Sequence, residues 1–248
     1  LKNSMVWSPD SKDLAFTTSE NKLYKYTLAT KQTAELTSSK YGGVGGVRWS
    51  PDGKWLTYAK QDISRQSDIY LIPSAGGQER KVTFDSYNEG VPRFSPDGQT
   101  LFFVRSTAVG QGSLVNNTGS SQLYAMMLEK QDKDPAEPEE KGSEPVNAEP
   151  RRPERPAAPK VLNIDWDGLK RRTWQVTRMP FGVMTYEVAP DSKTVVFVTT
   201  EPGTNRPSPV IYSIQSDGKR LARITGGVAG GDEGGDGGPR GGGFGRGM

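Results

Sequence analysis

One short unit recurs four times along this chain and limits what it can fold into. An apolar residue is followed by Ser or Ala, then Pro-Asp, then Gly or Ser, and then a hydrophobic run. The copies are Trp7-Ser8-Pro9-Asp10, Trp49-Ser50-Pro51-Asp52-Gly53, Phe94-Ser95-Pro96-Asp97-Gly98 and Val188-Ala189-Pro190-Asp191-Ser192. Proline presets the first central position of a tight turn, and aspartate can hydrogen-bond nearby backbone. Gly53 and Gly98 can take a left-handed conformation at little cost. Ser11 and Ser192 stand where that glycine would be, so those two turns are expected to carry strain or to change type. The runs after the turns are Leu14-Ala15-Phe16, Trp55-Leu56-Thr57-Tyr58, Leu101-Phe102-Phe103-Val104 and Val195-Val196-Phe197-Val198. Each copy is therefore a hairpin signature.

A third run in each copy is centred on Tyr24, Tyr70, Tyr124 or Tyr212, and each copy closes on Leu36-Thr37, Val82-Thr83, Val176-Thr177 or Ile224-Thr225. Short four-strand repeats of this kind read as propeller blades. Four blades lie at the bottom of the usual range for a ring. The expected fold is thus all-β: a β-propeller with about four four-stranded blades, forming an arc of a six- or seven-bladed ring. Its function would then depend on residues outside the chain.

The spacing from tyrosine to closing threonine is 13 residues in the first, second and fourth copies but 53 in the third. The excess places an insertion inside a blade rather than at a domain boundary. The expected blades are 1–38, 39–84, 85–178 and 179–225. Residues 131–160 hold seven prolines and fourteen charged side chains. Such a segment has too little apolar surface to offset its ordering entropy, so a disordered exposed loop is expected there. Ile164 lies 13 residues before Thr177, where the tyrosine sits elsewhere. Either this blade carries an additional strand, or the Leu123-Tyr124-Ala125-Met126 run leaves the ring. The stretch 226–248 contains thirteen glycines and is expected to be a flexible loop or tail.

Composition removes several chemistries. The 248 residues include no histidine and no cysteine. Within them, Ser-His-Asp catalysis, His-ligated zinc, thiolate chemistry and disulfides are impossible. Lack of cysteine fits cytoplasm or periplasm alike. The formal charge is +3, from 32 basic and 29 acidic residues, which gives no electrostatic case for a nucleic-acid partner. Arg240 and Arg246 among the terminal glycines do not change this, because Asp232, Glu233 and Asp236 offset them. No apolar run is long enough for a membrane-spanning helix. No catalytic, metal or cofactor site is expected, and no substrate-binding residue is singled out.

The residues that do stand out have structural readings. Asp10, Asp52, Asp97 and Asp191 recur once per blade and would be spread around a ring, too far apart for an acid–base pair. Pro9, Pro51, Pro96 and Pro190, with Gly53 and Gly98, are expected to build the same turns. Arg171 and Arg172 could hold an anion or a peptide carboxylate through paired hydrogen bonds. The alternation around them favours an edge-strand or blade-contact role instead. Tyr41 and the glycines from Gly42 to Gly46 read as an inter-blade loop, with no phosphate-loop ending. Asn116-Asn117-Thr118 has glycosylation spacing but lacks a targeting segment to support it. The neighbouring 113–121 connection could line one face of the ring.

The Trp49–Gly53 and Phe94–Gly98 units resemble the TolB/PD40 branch of β-propellers. A more particular likeness spans about residues 48–200. It comprises Asp68-Ile69-Tyr70-Leu71, the Phe94–Val104 blade, the charged Pro-rich insertion, and Ile164-Asp165-Trp166-Asp167-Gly168 followed by Arg171-Arg172. That order is similar to the propeller region of tricorn-type serine peptidases. The resemblance implies a noncatalytic propeller that scaffolds a large modular peptidase and guides peptides to a separate catalytic region of the parent chain, which in this family carries a PDZ domain and a C-terminal α/β peptidase domain. It implies as partners the remaining blades and the peptidase domain, a peptide or protein substrate, and further copies in a homo-oligomer. A TolB-like interaction propeller and the propeller of a prolyl-oligopeptidase-like hydrolase remain alternatives.

Overall fold

Short β-branched and aromatic runs make strands here, and the middle strands are buried at consecutive positions, on both faces. The computed structural model describes residues 2–106, 121–130, 161–201 and 208–225. Among these, the strands form four antiparallel sheets of four. The first holds β1 (Lys2–Trp7), β2 (Asp13–Thr18), β3 (Lys22–Thr27) and β4 (Gln32–Ser38). The second holds β5 (Val44–Trp49), β6 (Trp55–Gln61), β7 (Ser67–Pro73) and β8 (Arg80–Lys81). The third holds β9 (Asn88–Phe94), β10 (Thr100–Ser106), β11 (Ser121–Met127) and β12 (Thr173–Gln175). The fourth holds β13 (Val183–Val188), β14 (Thr194–Glu201), β15 (Ser208–Gln215) and β16 (Ala222–Arg223). A single 3₁₀ turn, Leu169–Arg172, leads into β12.

Each sheet runs in sequence order from its first strand to its fourth. A sheet whose two faces are both apolar must bury both, and here the sheets do so against each other. One cluster joins Ala15 and Leu23 of the first sheet to Val47, Leu56, Tyr58 and Ile72 of the second. The next joins Ile69 and Leu71 to Phe94, Leu101, Phe103 and Met126. A third joins Phe102, Leu123 and Ala125 to Tyr186, Val195, Phe197 and Ile214. Each fully buried Leu, Ile or Phe contributes about 1.5–3 kcal/mol, so the inter-sheet seams carry the stability. The sheets form an open arc of a propeller, not a closed ring.

Within every sheet, a second-strand aromatic stacks on the tyrosine directly across in the third strand. The pairs are Phe16–Tyr24 at 5.4 Å, Tyr58–Tyr70 at 5.9 Å, Phe103–Tyr124 at 6.0 Å and Phe197–Tyr212 at 5.7 Å between ring centroids. These are same-face cross-strand partners in the ladder. Such aromatic pairs add about 0.5–1.5 kcal/mol beyond the area they bury.

The closing threonine has a second repeated job. Ile69, Leu123 and Ile211 each donate their N–H to the hydroxyl of Thr83, Thr177 or Thr225, at 2.9, 2.9 and 3.0 Å. Their carbonyls accept from Val82, Val176 and Ile224. The fixed spacing of 13 thus reflects a hydroxyl completing the ladder where the fourth strand ends. The first sheet differs, because β4 is longer and Thr37 pairs with Leu23 inside the ladder.

The third sheet settles the question raised by Ile164. β11 stays in the sheet, paired from Thr100↔Met127 to Ser106↔Ser121. Residues 161–166 form no strand, so neither an added strand nor a departing β11 is found. The segment instead plugs the seam between the second and third sheets. Asp165 N–H donates to Leu128 O at 2.9 Å, and Leu162 N–H donates to Asp52 Oδ2 at 2.9 Å. Ile164 is buried with Leu128 and Leu169, and Trp166 lies 5.6 Å from Trp55. The expected loop at 131–160, most of the 113–121 connection and the 226–248 stretch lie outside the described residues.

Candidate functional site

The Pro-Asp turns come first, because they place the inner strands. In each turn the N–H of the fourth residue bonds the carbonyl of the first: Ser11 to Ser8, Gly53 to Ser50, Gly98 to Ser95 and Ser192 to Ala189. The fourth residue is left-handed in all four, at φ 59, 71, 77 and 60. Ser11 and Ser192 therefore keep the glycine turn type and carry its strain. Asp10, Asp52 and Asp97 accept from the serine two residues earlier at 2.7, 2.6 and 2.5 Å. Those buried serines in turn accept the N–H of Asp13, Trp55 and Thr100, each at 2.9 Å. Ala189 has no hydroxyl, and there Asp191 bonds Thr194 directly, through its N–H at 2.8 Å and its hydroxyl at 2.6 Å.

Successive turns also touch. A Cβ on Gly53 would sit 3.8 Å from Pro9, and one on Gly98 would sit 3.9 Å from Pro51. Asp97 N–H donates to Ser192 Oγ at 3.0 Å. Pro96 and Pro190 are exposed on the same rim. Although burial pushes Asp52 up, the Ser50 hydroxyl and the Leu162 and Lys54 N–H groups hold it below the ordinary carboxylate range. The four carboxylates cap their own turns, one per sheet, and form no shared site, while Asp52 also accepts the Leu162 N–H from the segment between the second and third sheets.

The first strands of neighbouring sheets meet on the inner side of the arc. Trp49 Nε1 donates to Val6 O at 3.1 Å, and the Tyr186 hydroxyl donates to Val91 O at 2.6 Å. Burial raises the Tyr186 hydroxyl well above the usual phenol range. All four first strands carry a register shift against their second strands. At that shift Gly46 has φ 66, and the equivalent residue of the next sheet, Val91, has φ 53. A left-handed β-branched residue is a strained one.

Beside these bulges, Arg48 of β5 and Arg93 of β9 occupy the same position, two residues before Ser50 and Ser95. Arg93 Nη1 pairs with Glu187 of β13 at 2.9 Å, and its guanidinium lies over the Tyr186 ring at 5.5 Å. Arg48 Nη1 donates to Val47 O at 2.8 Å. Burial, together with the Arg93 charge, lowers the Arg48 pKa, and Glu187 partly opposes this. Sequence reading did not single out either arginine. The only available signal was their shared offset from the Ser-Pro-Asp turn.

A second charged group is buried between the second and third sheets. Arg105 bridges Glu89 at 2.9 Å and Asp85 at 2.7 Å, and Lys170 reaches Asp85 at 2.7 Å. Burial pushes Glu89 up to about 7, against the pull of Thr83 and Arg105. Nearby, Lys81 meets buried Asp68 at 2.6 Å. On the other seam Glu79 accepts from Thr37 at 2.7 Å and is bonded by Tyr58 and Lys60. Burial opposes its ionisation, but Lys60, Tyr58 and Thr37 together hold Glu79 below the ordinary range. Of these contacts, Thr37–Glu79 joins the first sheet to the second, whereas Lys81–Asp68 and Arg105–Glu89 tie strands within the second and third sheets.

Arg172 is equally committed: it donates to the carbonyls of Met127 (3.0 Å), Asp167 (2.9 Å), Leu128 (3.3 Å) and Asp165. Arg171 lies with Lys130 on a shallow hollow beside this 3₁₀ turn. Among the described residues, no group of His, Cys, Asp or Glu is arranged to hold a metal ion. No helix among them is long and apolar enough to cross a membrane. The arrangement offers binding surfaces and inter-sheet fasteners. On its inner side, Arg48, Arg93 and Glu187 lie on three successive first strands, with Arg93 paired to Glu187.

A model of the TolB β-propeller domain matches residues 3–144. Among curated proteins, the uncharacterized peptidase YuxL of Bacillus subtilis is 33% identical over 64 residues, covering 26% of this chain and 10% of that protein. Dipeptidyl-peptidase 5 of Porphyromonas gingivalis is 28% identical over 82 residues, covering 28% of this chain and 11% of that protein. The chain therefore spans only a small part of the length of these relatives. The crystal structure of the tricorn protease matches at a TM-score of 0.61 and 12% identity, over 90% of this chain and 22% of that one. At that identity the likeness is one of fold.

Proposed function

Because the chain belongs to the TolB β-propeller family, we propose that it is a noncatalytic propeller portion of a tricorn-like serine peptidase. In this reading it holds neighbouring blades in place and guides peptide substrates to a catalytic domain outside these residues. The similarity to two peptidases and to the tricorn propeller fold supports the peptidase setting.

The observation that carries the reading is the free side of the first sheet. Met5 and Trp7 are 60% and 55% exposed. Their equivalents in the second sheet, Val47 and Trp49, are packed against the first, with the Trp49 indole on Val6 O. The Trp49–Val6 contact supports another blade of this repeat as the occupant of the free side, offering the carbonyl two residues before its own turn serine to Trp7. An open arc with a docking side of this kind is a part of a ring. The blades it contributes are 1–38, 39–84, 85–178 and 179–225, with residues 131–160 inserted in the third.

The family match also favours a second reading, a TolB-like propeller that binds a protein partner with no peptidase attached. Incubation of the chain with a mixture of short peptides, followed by native mass spectrometry, tests the first. Retained but intact peptides are expected. Turnover abolished by a substitution within this chain overturns the noncatalytic role, and retention of no peptide overturns the guiding role.

A further inference from the structure

Among the described residues, one repeated position on the inner side carries two arginines and a single carboxylate. Position by position, the residue two before each turn serine or alanine reads Val6, Arg48, Arg93 and Glu187. Arg93 shares its charge with Glu187, whose side chain is 72% exposed and hence free to move aside. The Arg93 Nε is buried without a hydrogen-bond partner among the described residues. Arg48 has no carboxylate within ion-pair distance among them, and its Nη1 donates to the neutral Val47 carbonyl on its own strand. Two half-buried guanidiniums on adjacent first strands thus face one removable carboxylate. A buried donor left unpaired costs free energy that a bound acceptor recovers. Guanidinium forks match carboxylates in geometry as well as charge.

We infer that Arg48 and Arg93 form a carboxylate-binding site on the inner wall of the arc. The ligand is a carboxylate of a peptide, on an acidic side chain or at the C-terminus, and Glu187 occupies the site as an internal competitor. This inference rests on the reading of the propeller as a peptide guide. It adds to that reading where the peptide is held and by which group.

Fluorescence anisotropy of labelled peptides on the full chain tests it. Each peptide is compared with its C-terminal amide and with its Asp→Asn or Glu→Gln form, which tells the two carboxylate sources apart. Arg48→Gln is expected to weaken binding of carboxylate peptides roughly tenfold, the scale of losing a charge-assisted hydrogen bond. The same variant leaves peptides without carboxylates unchanged. Glu187→Gln is expected to tighten binding severalfold, because it frees Arg93. Arg48→Lys recovers only part of the loss, since a point charge cannot fork. Succinate, titrated against the Arg side-chain Nε–H NMR signals, probes the site without a peptide. Peptide binding that ignores carboxylates, Arg48→Gln and Glu187→Gln alike overturns the site and leaves the guide reading intact. Failure of every peptide, with the Arg48 and Arg93 signals still moved by succinate, overturns the guide reading and supports the site. Signals unmoved by succinate, with no carboxylate dependence, overturn the site.

Discussion

Replacing Thr177 by valine tests how the repeat is closed. The Thr177 hydroxyl accepts the Leu123 N–H at 2.9 Å and donates to Gln122 Oε1 at 2.9 Å, with Thr177 and Leu123 fully buried. Valine keeps the shape and removes the acceptor. Gln122 Oε1 still accepts from Met179 N–H at 3.0 Å, so its loss is small. The Leu123 N–H has no such fallback, and an unpaired buried donor costs about 1–3 kcal/mol. The added methyl returns a fraction of about 0.8 kcal/mol. A net loss of ~2 kcal/mol is expected. Thr177→Ser keeps the hydroxyl and should lose only about 1 kcal/mol, for one buried methyl. Thr225→Val removes the same bond from Ile211 but at a half-exposed edge, where water can replace it, so its loss should stay below ~1 kcal/mol. Urea unfolding followed by tryptophan fluorescence ranks the three, with Trp174 reporting from β12, just before Thr177. Exchange of the Leu123 amide should accelerate in Thr177→Val. Equal losses in Thr177→Ser and Thr177→Val, or a larger loss in Thr225→Val, would refute the role of the hydroxyl.

Two glutamates should give pH responses of opposite sign. Glu89 has a folded pKa raised to about 7, so the unfolded chain loses that proton first as pH rises from its ordinary value near 4.5. Native stability should therefore fall across that window, by at most roughly 3 kcal/mol, and Glu89→Gln should flatten the fall. Glu79 has a folded pKa held below the ordinary range, so its contribution is present above the unfolded pKa and lost as pH drops through the folded one. Glu79→Gln should remove that acid-side loss, as read from unfolding midpoints between pH 3 and 5, about the range of free carboxylates. At Ser11, with φ 59, glycine relieves about 1–2 kcal/mol of left-handed strain and restores some unfolded-state entropy. Ser11→Gly should stabilise by ~0.5 kcal/mol in thermal unfolding, and a loss would contradict the turn assignment.

The turns, the four-strand order and the open arc were legible because they depend on local rules. Proline, aspartate and a left-handed fourth residue mark each hairpin, and the 13-residue interval marks where the ladder ends. The aromatic stacks were half visible: Tyr24, Tyr70, Tyr124 and Tyr212 stood out, while Phe16, Tyr58, Phe103 and Phe197 become their partners only through register. Ile164 shows the limit. Its spacing mimics the third-strand tyrosine, yet packing against Leu128 and Leu169 decides its place, and no periodicity encodes that. Arg48 and Arg93 gave only their shared offset from the turn serine, which does not reveal a partner. Each is unremarkable in its own strand, and the charge imbalance exists only once neighbouring sheets bring them beside Glu187. Arg171 and Arg172, conspicuous as a pair, split into a solvent-facing residue and one that binds carbonyls.

The claim that these four sheets are part of a larger ring is tested most directly at the indole N–H of Trp7. Trp49 and Trp174 bond neighbouring sheets through Val6 O and Ser216 O, at 3.1 and 2.8 Å. Their indole protons should exchange slowly with deuterium in the full chain at low protein concentration. Trp7, exposed on the free side, should exchange at nearly the rate of free indole and slow only when another blade is supplied. Slow exchange at Trp7 in a monodisperse monomer would mean that the arc closes on itself, contrary to the account.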